Sequence, residues 1–236
     1  MPRHPAAAQT PSQPNAPSNL EADRLYADRE NLDSARRAAA LWEADLRSAP
    51  AGFDAAWKLA RAGYWLGGHV PEAERRPVLE RGIEAGRTAV SLRTSRPEGH
   101  FWIAANMGAL ADASGVRAGL KYRGTIRDEL ETVLRLDPAF MDGSADRVLG
   151  RWYFRVPRLF GGDRTLAEVH LRKSLTYNPN STTSHFFLGE LLQDEGRNEE
   201  ARAEFQRVLD ASPHPDWAPE DREFKDKARR ALSRLK

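Results

Sequence analysis

The chain has 236 residues, 40% hydrophobic and 30% charged, with 36 basic side chains against 34 acidic ones and a net charge of +2. Zero cysteines exclude disulfides, Cys-ligated zinc and thiol catalysis. So even a charge balance argues against nucleic-acid binding, which draws on a clustered basic face, and no run approaches the roughly 18 apolar residues of a membrane span.

The first 19 residues, MPRHPAAAQTPSQPNAPSN, are rich in Pro, Ala, Gln and Ser and lack an apolar h-region. They read as a disordered leader and not as a signal peptide. As written this points to the cytoplasm, whereas an upstream signal already removed would point to the periplasm. Residues 20–236 read as one helical domain. A first hairpin spans 20–50, and Trp57 and Tyr64 mark the first helix of a second unit whose other helix covers about 78–92. The third unit carries Trp102, Ile126, Leu130 and Pro138 around the inter-helix stretch ADASGVRAGLKYRG. The fourth has Leu149-Gly150, Tyr153, Ala167, Leu171 and Pro179. The fifth, SHFFLGELLQDEGRNEEARAEFQRVLDASP, is the clearest, with Leu188-Gly189, Leu192, Ala201, Phe205 and Pro213. An amphipathic segment at 219–235 follows, apolar at Phe224, Ala228, Ala231, Leu232 and Leu235, as a terminal cap requires. Trp217 is placed to staple it.

One spacing recurs along this path. A small or apolar residue is followed four positions later by a bulky one and eight after that by proline: Ala38/Trp42/Pro50, Ile126/Leu130/Pro138, Ala167/Leu171/Pro179 and Ala201/Phe205/Pro213. Repetition at intervals of roughly 34 to 45 residues marks a helical repeat array. The fifth unit matches the tetratricopeptide template, and nearly the whole ordered chain resembles the tetratricopeptide-repeat superfamily. The expected fold is therefore all-α: a right-handed α-α superhelix of about five hairpins with a C-terminal capping helix. The runs GHFWIAANMGALADASGVRAGLKYRG and RVLGRWYFRVPRLFGGDRTLAEVHLRKSL are similar to two narrower groups. These are the regulator-of-microtubule-dynamics type of repeat protein and the periplasmic T component associated with TRAP transporters.

In such arrays the first helix of each pair lines a concave groove. In this register the groove-facing positions are Arg147, Arg151, Phe154 and Arg155, then Thr183, Phe186, Glu190, Gln193 and Asp194, with Lys58, Trp65, His100 and Met107 by analogy. Arg147, Arg151 and Arg155 form one stripe, suited to bidentate capture of carboxylates or phosphates. The competing reading is that Glu190 and Asp194 pair with it internally. Extra residues at 66–77, 112–124 and 155–163 fall at one point of their repeats and should emerge on one edge, made basic by Arg117, Lys121, Arg123, Arg155 and Arg158. Either this edge binds a partner, or Leu120, Leu159 and Phe160 fold back as core. Gly67-Gly68 and Gly161-Gly162 read as turns.

The six histidines show no metal spacing, no nucleophile motif is present, and His185 reads as a packing residue. No cofactor is implied. The favoured function is a non-enzymatic scaffold or adaptor for a protein or peptide, with an acidic partner expected. The alternative is a small-ligand component of a transport system that takes an organic anion.

Overall fold

The structure is a computed structural model that describes residues 17–115 and 119–235. Among these residues there are eleven α-helices and no strand. They are α1 (Pro17–Ala27), α2 (Leu32–Ser48), α3 (Phe53–His69), α4 (Glu72–Leu92), α5 (Pro97–Ser114), α6 (Arg123–Leu136), α7 (Phe140–Arg155), α8 (Arg164–Tyr177), α9 (Thr182–Asp194), α10 (Asn198–Asp210) and α11 (Ala218–Arg234). Consecutive helices pack as five hairpins, α1–α2 to α9–α10, and α11 covers the last. The expected hairpins and cap are all present. α1 begins at Pro17, slightly inside the expected leader, and residues 1–16 lie outside the described part.

The recurrent spacing is the core of the second helices. Ala38, Ala167 and Ala201 are fully buried, Ile126 nearly so, and Trp42, Leu130, Leu171 and Phe205 are fully enclosed. The small residue admits the neighbouring helix and the bulky one fills the gap beyond it. Gly189 shows why the first helix must be thin there, since a Cβ would lie 2.6 Å from the Phe205 ring. Side-chain caps set several starts: Asn31, Asp163 and Ser181 each accept a backbone N–H from the first turn of the following helix. The apolar interior is continuous along the stack, because Leu59 and Tyr153 each pack against two neighbouring clusters.

Two local expectations change. No loop exists at 66–77: α3 runs to His69, only Val70 and Pro71 intervene, and α4 starts at Glu72, well before 78. Gly67, read as a turn, lies inside α3 against Leu79, whose Cδ2 would sit 2.3 Å from an added Cβ. It is a close-packing glycine. Pro77 lies within α4. Leu159 and Phe160 are also not core, being 86% and 40% exposed.

The two ends of the stack meet. Arg29, buried in the α1–α2 turn, grips Glu220 of α11 with two nitrogens, Nη2 at 2.5 Å and Nε at 3.0 Å. Its Nη2 also donates to the Asp216 carbonyl at 2.8 Å. Beside it Arg222 Nε donates to Glu30 at 3.1 Å, and His69 Nε2 lies 2.5 Å from Glu223 Oε1. Trp217 packs on the central cluster beneath Arg29, so it fastens more than the cap. The solenoid is thus drawn into a ring, with the first helices of the hairpins around its concave side.

Candidate functional site: the concave face

The arginine stripe on α7 divides into three situations. Arg151 Nη1 donates to Glu190 at 2.5 Å, with its guanidinium 4.6 Å from the centre of the Phe187 ring. Arg155 approaches Asp112 at 3.7 Å, with both side chains more than half exposed. Arg147 is half-buried and has no hydrogen-bond or ion-pair partner among the described residues. Burial lowers its pKa, and the Tyr64 phenol and the Asp142 and Asp221 carboxylates act in the opposite direction. A guanidinium in this state has lost much of its hydration and gained no bonded anion in return.

The other expected positions are committed inside the molecule. Asp194 pairs with Arg164 and not with the stripe. Phe186 is buried among Phe187, Phe205 and Phe224, because α11 closes over that end of the groove. Lys58 is buried and bonds Asp23 at 2.7 Å. Trp65 is buried, donates from its indole to the Arg29 carbonyl at 2.8 Å and stacks on His69. Met107 is core, and His100 is held by Glu129.

Tyr64 and Arg61, one turn apart on α3, were not expected to face the groove. Tyr64 is 43% exposed, and crowding around its hydroxyl raises the phenol's pKa, an effect that Arg147 partly offsets. This couples α3 electrostatically to α7, two hairpins further on. Arg61 lies with its guanidinium 4.2 Å from the Tyr26 ring centre and 5.1 Å from that of Trp57. Its Nε is buried without a hydrogen-bond partner, and desolvation lowers its pKa. Burial pushes the pKa of Tyr26 up to about 12. The Trp57, Arg61, Tyr64 spacing was a legible signal that these side chains share one face.

The second and third insertions do meet on one edge. The Arg123 guanidinium lies 5.7 Å from the Phe160 ring centre, and the Trp152 indole donates to the Arg123 carbonyl. Lys121, Arg123, Arg127, Trp152 and Phe160 border a cavity of about 490 Å³ there. Arg117 lies outside the described residues. A second cavity, of about 900 Å³, borders α2 and α4 where Glu43 already pairs with Arg47 and Arg81.

Three histidines, His100, His170 and His185, form joints within hairpins. His100 bonds Glu129 at 2.5 Å and the Thr94 carbonyl, and His185 bonds Glu204 at 2.6 Å and the Pro179 carbonyl. In the hairpin between them the polarity is reversed, with Asp146 on the first helix and His170 on the second, 2.7 Å apart. The hydrogen bond that His100 donates to Glu129 outweighs burial and raises the pKa of His100. Burial works against ionisation of Glu204, but the His185 contact prevails and lowers its pKa. Among the described residues no group of three or more His, Asp or Glu is arranged to hold a metal ion.

The family model described as regulator of microtubule dynamics protein 1-3 matches residues 19–178, more than half of the chain. The chain belongs to this family. Of the two groups that the middle of the sequence resembles, the match falls on the first. The family region runs from α1 through α8, so the most regular tetratricopeptide unit and the cap lie beyond it. Crystal structures share the fold. The thermophilic TPR protein TTC0263 of Thermus thermophilus has a TM-score of 0.68 at 24% identity, over 91% of this chain and 97% of that one. MamA has a TM-score of 0.52 at 17% identity, over 85% of this chain and 95% of that one. No curated protein matches this chain in sequence. The tetratricopeptide-type solenoid read from Leu188-Gly189, Ala201, Phe205 and Pro213 is the fold observed.

Proposed function

We propose that this member of the family is a non-enzymatic interaction module that holds an acidic segment of a protein partner on its concave face. The observation that carries this reading is Arg147. The other candidate cations are paired, Arg151 with Glu190, Arg155 with Asp112 and Lys58 with Asp23, while Arg147 is half-buried, has no hydrogen-bond or ion-pair partner among the described residues, and feels the Tyr64 phenol electrostatically. A carboxylate arriving there would find its charge partner already in place and would repay desolvation that folding has already incurred. Stacked helical repeats of this type present such concave surfaces to proteins and peptides.

The test compares single variants in binding to partners recovered on the immobilised protein. Arg147→Ala should weaken binding by about tenfold or more, with a shallower salt dependence, and Arg151→Ala should act mainly through the loss of Glu190 neutralisation. Full binding by the Arg147→Ala, Arg151→Ala, Arg155→Ala triple variant would remove the concave face from consideration.

The meeting of the two ends favours one second reading, in which Arg147 and Tyr64 hold a small organic anion on the concave face. Native mass spectrometry of the purified protein separates the two. An anion retained by the wild type and lost with Arg147→Ala supports this reading, and a bare protein mass counts against it.

A further inference from the structure

The seams between neighbouring hairpins are helix against helix, with apolar side chains between them. The seam between the two ends is built differently. Among the described residues no helix of the first two hairpins packs along α11, and the contact is made by side chains reaching across: Arg29 to Glu220 and the Asp216 carbonyl, Arg222 to Glu30, and His69 to Glu223. Among the described residues, Trp217 is the one aromatic side chain contributed from the C-terminal side.

We infer that this polar seam is a clasp that opens and closes the concave face, so that a protein segment enters only when the ends part. Parting them exposes charged groups that water and salt ions can satisfy, the exposed pair of Arg222 and Glu30 first, together with Trp217 and the buried Arg29. The movement needs no hinge at one residue. Each hairpin touches only its neighbours, so a small rotation shared among five hairpins adds up to a large displacement at the ends. α11 travels with the C-terminal half, because Phe224 packs on Phe186 and Phe187 while Lys225 holds the Leu209 and Ala211 carbonyls. The α1–α2 turn travels with α3, tied by the Trp65 bond to the Arg29 carbonyl. Both jaws are therefore rigid where the clasp joins them.

The chain has no cysteine, so two introduced ones report without interference. Spin labels at Ala27→Cys and Arg230→Cys, both exposed and on opposite jaws, give the end-to-end distance by double electron–electron resonance. In low salt one short-distance population should dominate. Raising salt to about 1 M should enlarge a longer-distance population roughly threefold or more. Arg222→Glu should do the same at low salt, and the exchanged pair Glu30→Arg, Arg222→Glu should restore the short distance. These two positions are exposed, so neither variant endangers folding. A single short distance in every salt and every variant would show a permanent joint and overturn the proposal. Failure of the exchanged pair to restore closure would overturn the role of these charges. The measurement needs no partner, so a failed clasp leaves the concave-face reading standing, and loss of Arg147 dependence would remove that reading without touching the clasp.

Discussion

The seam between α9 and α10 and the seam between Arg29 and Glu220 hold the same molecule together by opposite means. At the first, Gly189 lets the helices approach until the Phe205 ring fills the gap, and the buried polar contact of His185 with Glu204 lies within the same hairpin. At the second, helices do not touch along their length and a buried guanidinium spans the distance. Apolar packing of the first kind is local and survives salt. The polar joint is specific in geometry, because a forked guanidinium must meet a carboxylate, and it depends on solution conditions. A repeat array that uses both kinds has a fixed body and adjustable ends.

Four changes would break or sharpen this contrast. Phe205→Ala should have the largest effect, about 3–5 kcal/mol of stability, from a large buried ring and the void it leaves. Urea unfolding would measure it, and the loss should hardly vary with salt. Arg29→Ala should cost about 2 kcal/mol, since it leaves Glu220 and the Asp216 carbonyl without their donor. Here the cost should shrink as salt rises, and a salt-independent loss would erase the distinction between the seams.

Met141→Gly should stay within about 1 kcal/mol of wild type in the same assay, because relief of its φ of 46° is set against loss of a side chain packed on the central cluster. The fourth and smallest effect concerns pH. His100 has its pKa raised above 6.5 in the folded protein, so its bond to Glu129 contributes fully below that pH and fades as pH rises through the folded value. The stability difference between wild type and His100→Gln, measured by thermal melts across pH 5 to 9, should therefore narrow towards the alkaline end. A constant difference would make His100 a packing residue only.

Much of the repeat body was legible because its signals are local. Ala201, Phe205 and Pro213 each act within one hairpin, and helical periodicity shows which face they share. The reading of glycine was less secure. Gly67 permits both a turn and a close approach, and only the position of Leu79 on the next helix selects the second. The start of the second helix, read near 78, lies earlier, because α4 begins at Glu72 and accommodates Pro77 in its early turns. The stripe at Arg147, Arg151 and Arg155 was visible, but not its division, since Glu190, Asp112 and Arg164 come from other helices. Asn106 passed unnoticed, yet it is fully buried and joins α5 to α3 by donating to the Ala60 carbonyl.

The sequence by itself determined the all-helical class, the five hairpins, the cap and the residues that fill each seam. Spacing within about forty residues encodes all of these. Only the tertiary structure decided that the ends meet, that Trp65 and Phe186 are enclosed, and that Arg147 pairs with no carboxylate among the described residues. Those outcomes depend on the rotation accumulated from one hairpin to the next. No single repeat carries that sum, and it brings Arg29 to Glu220 across 191 positions of chain.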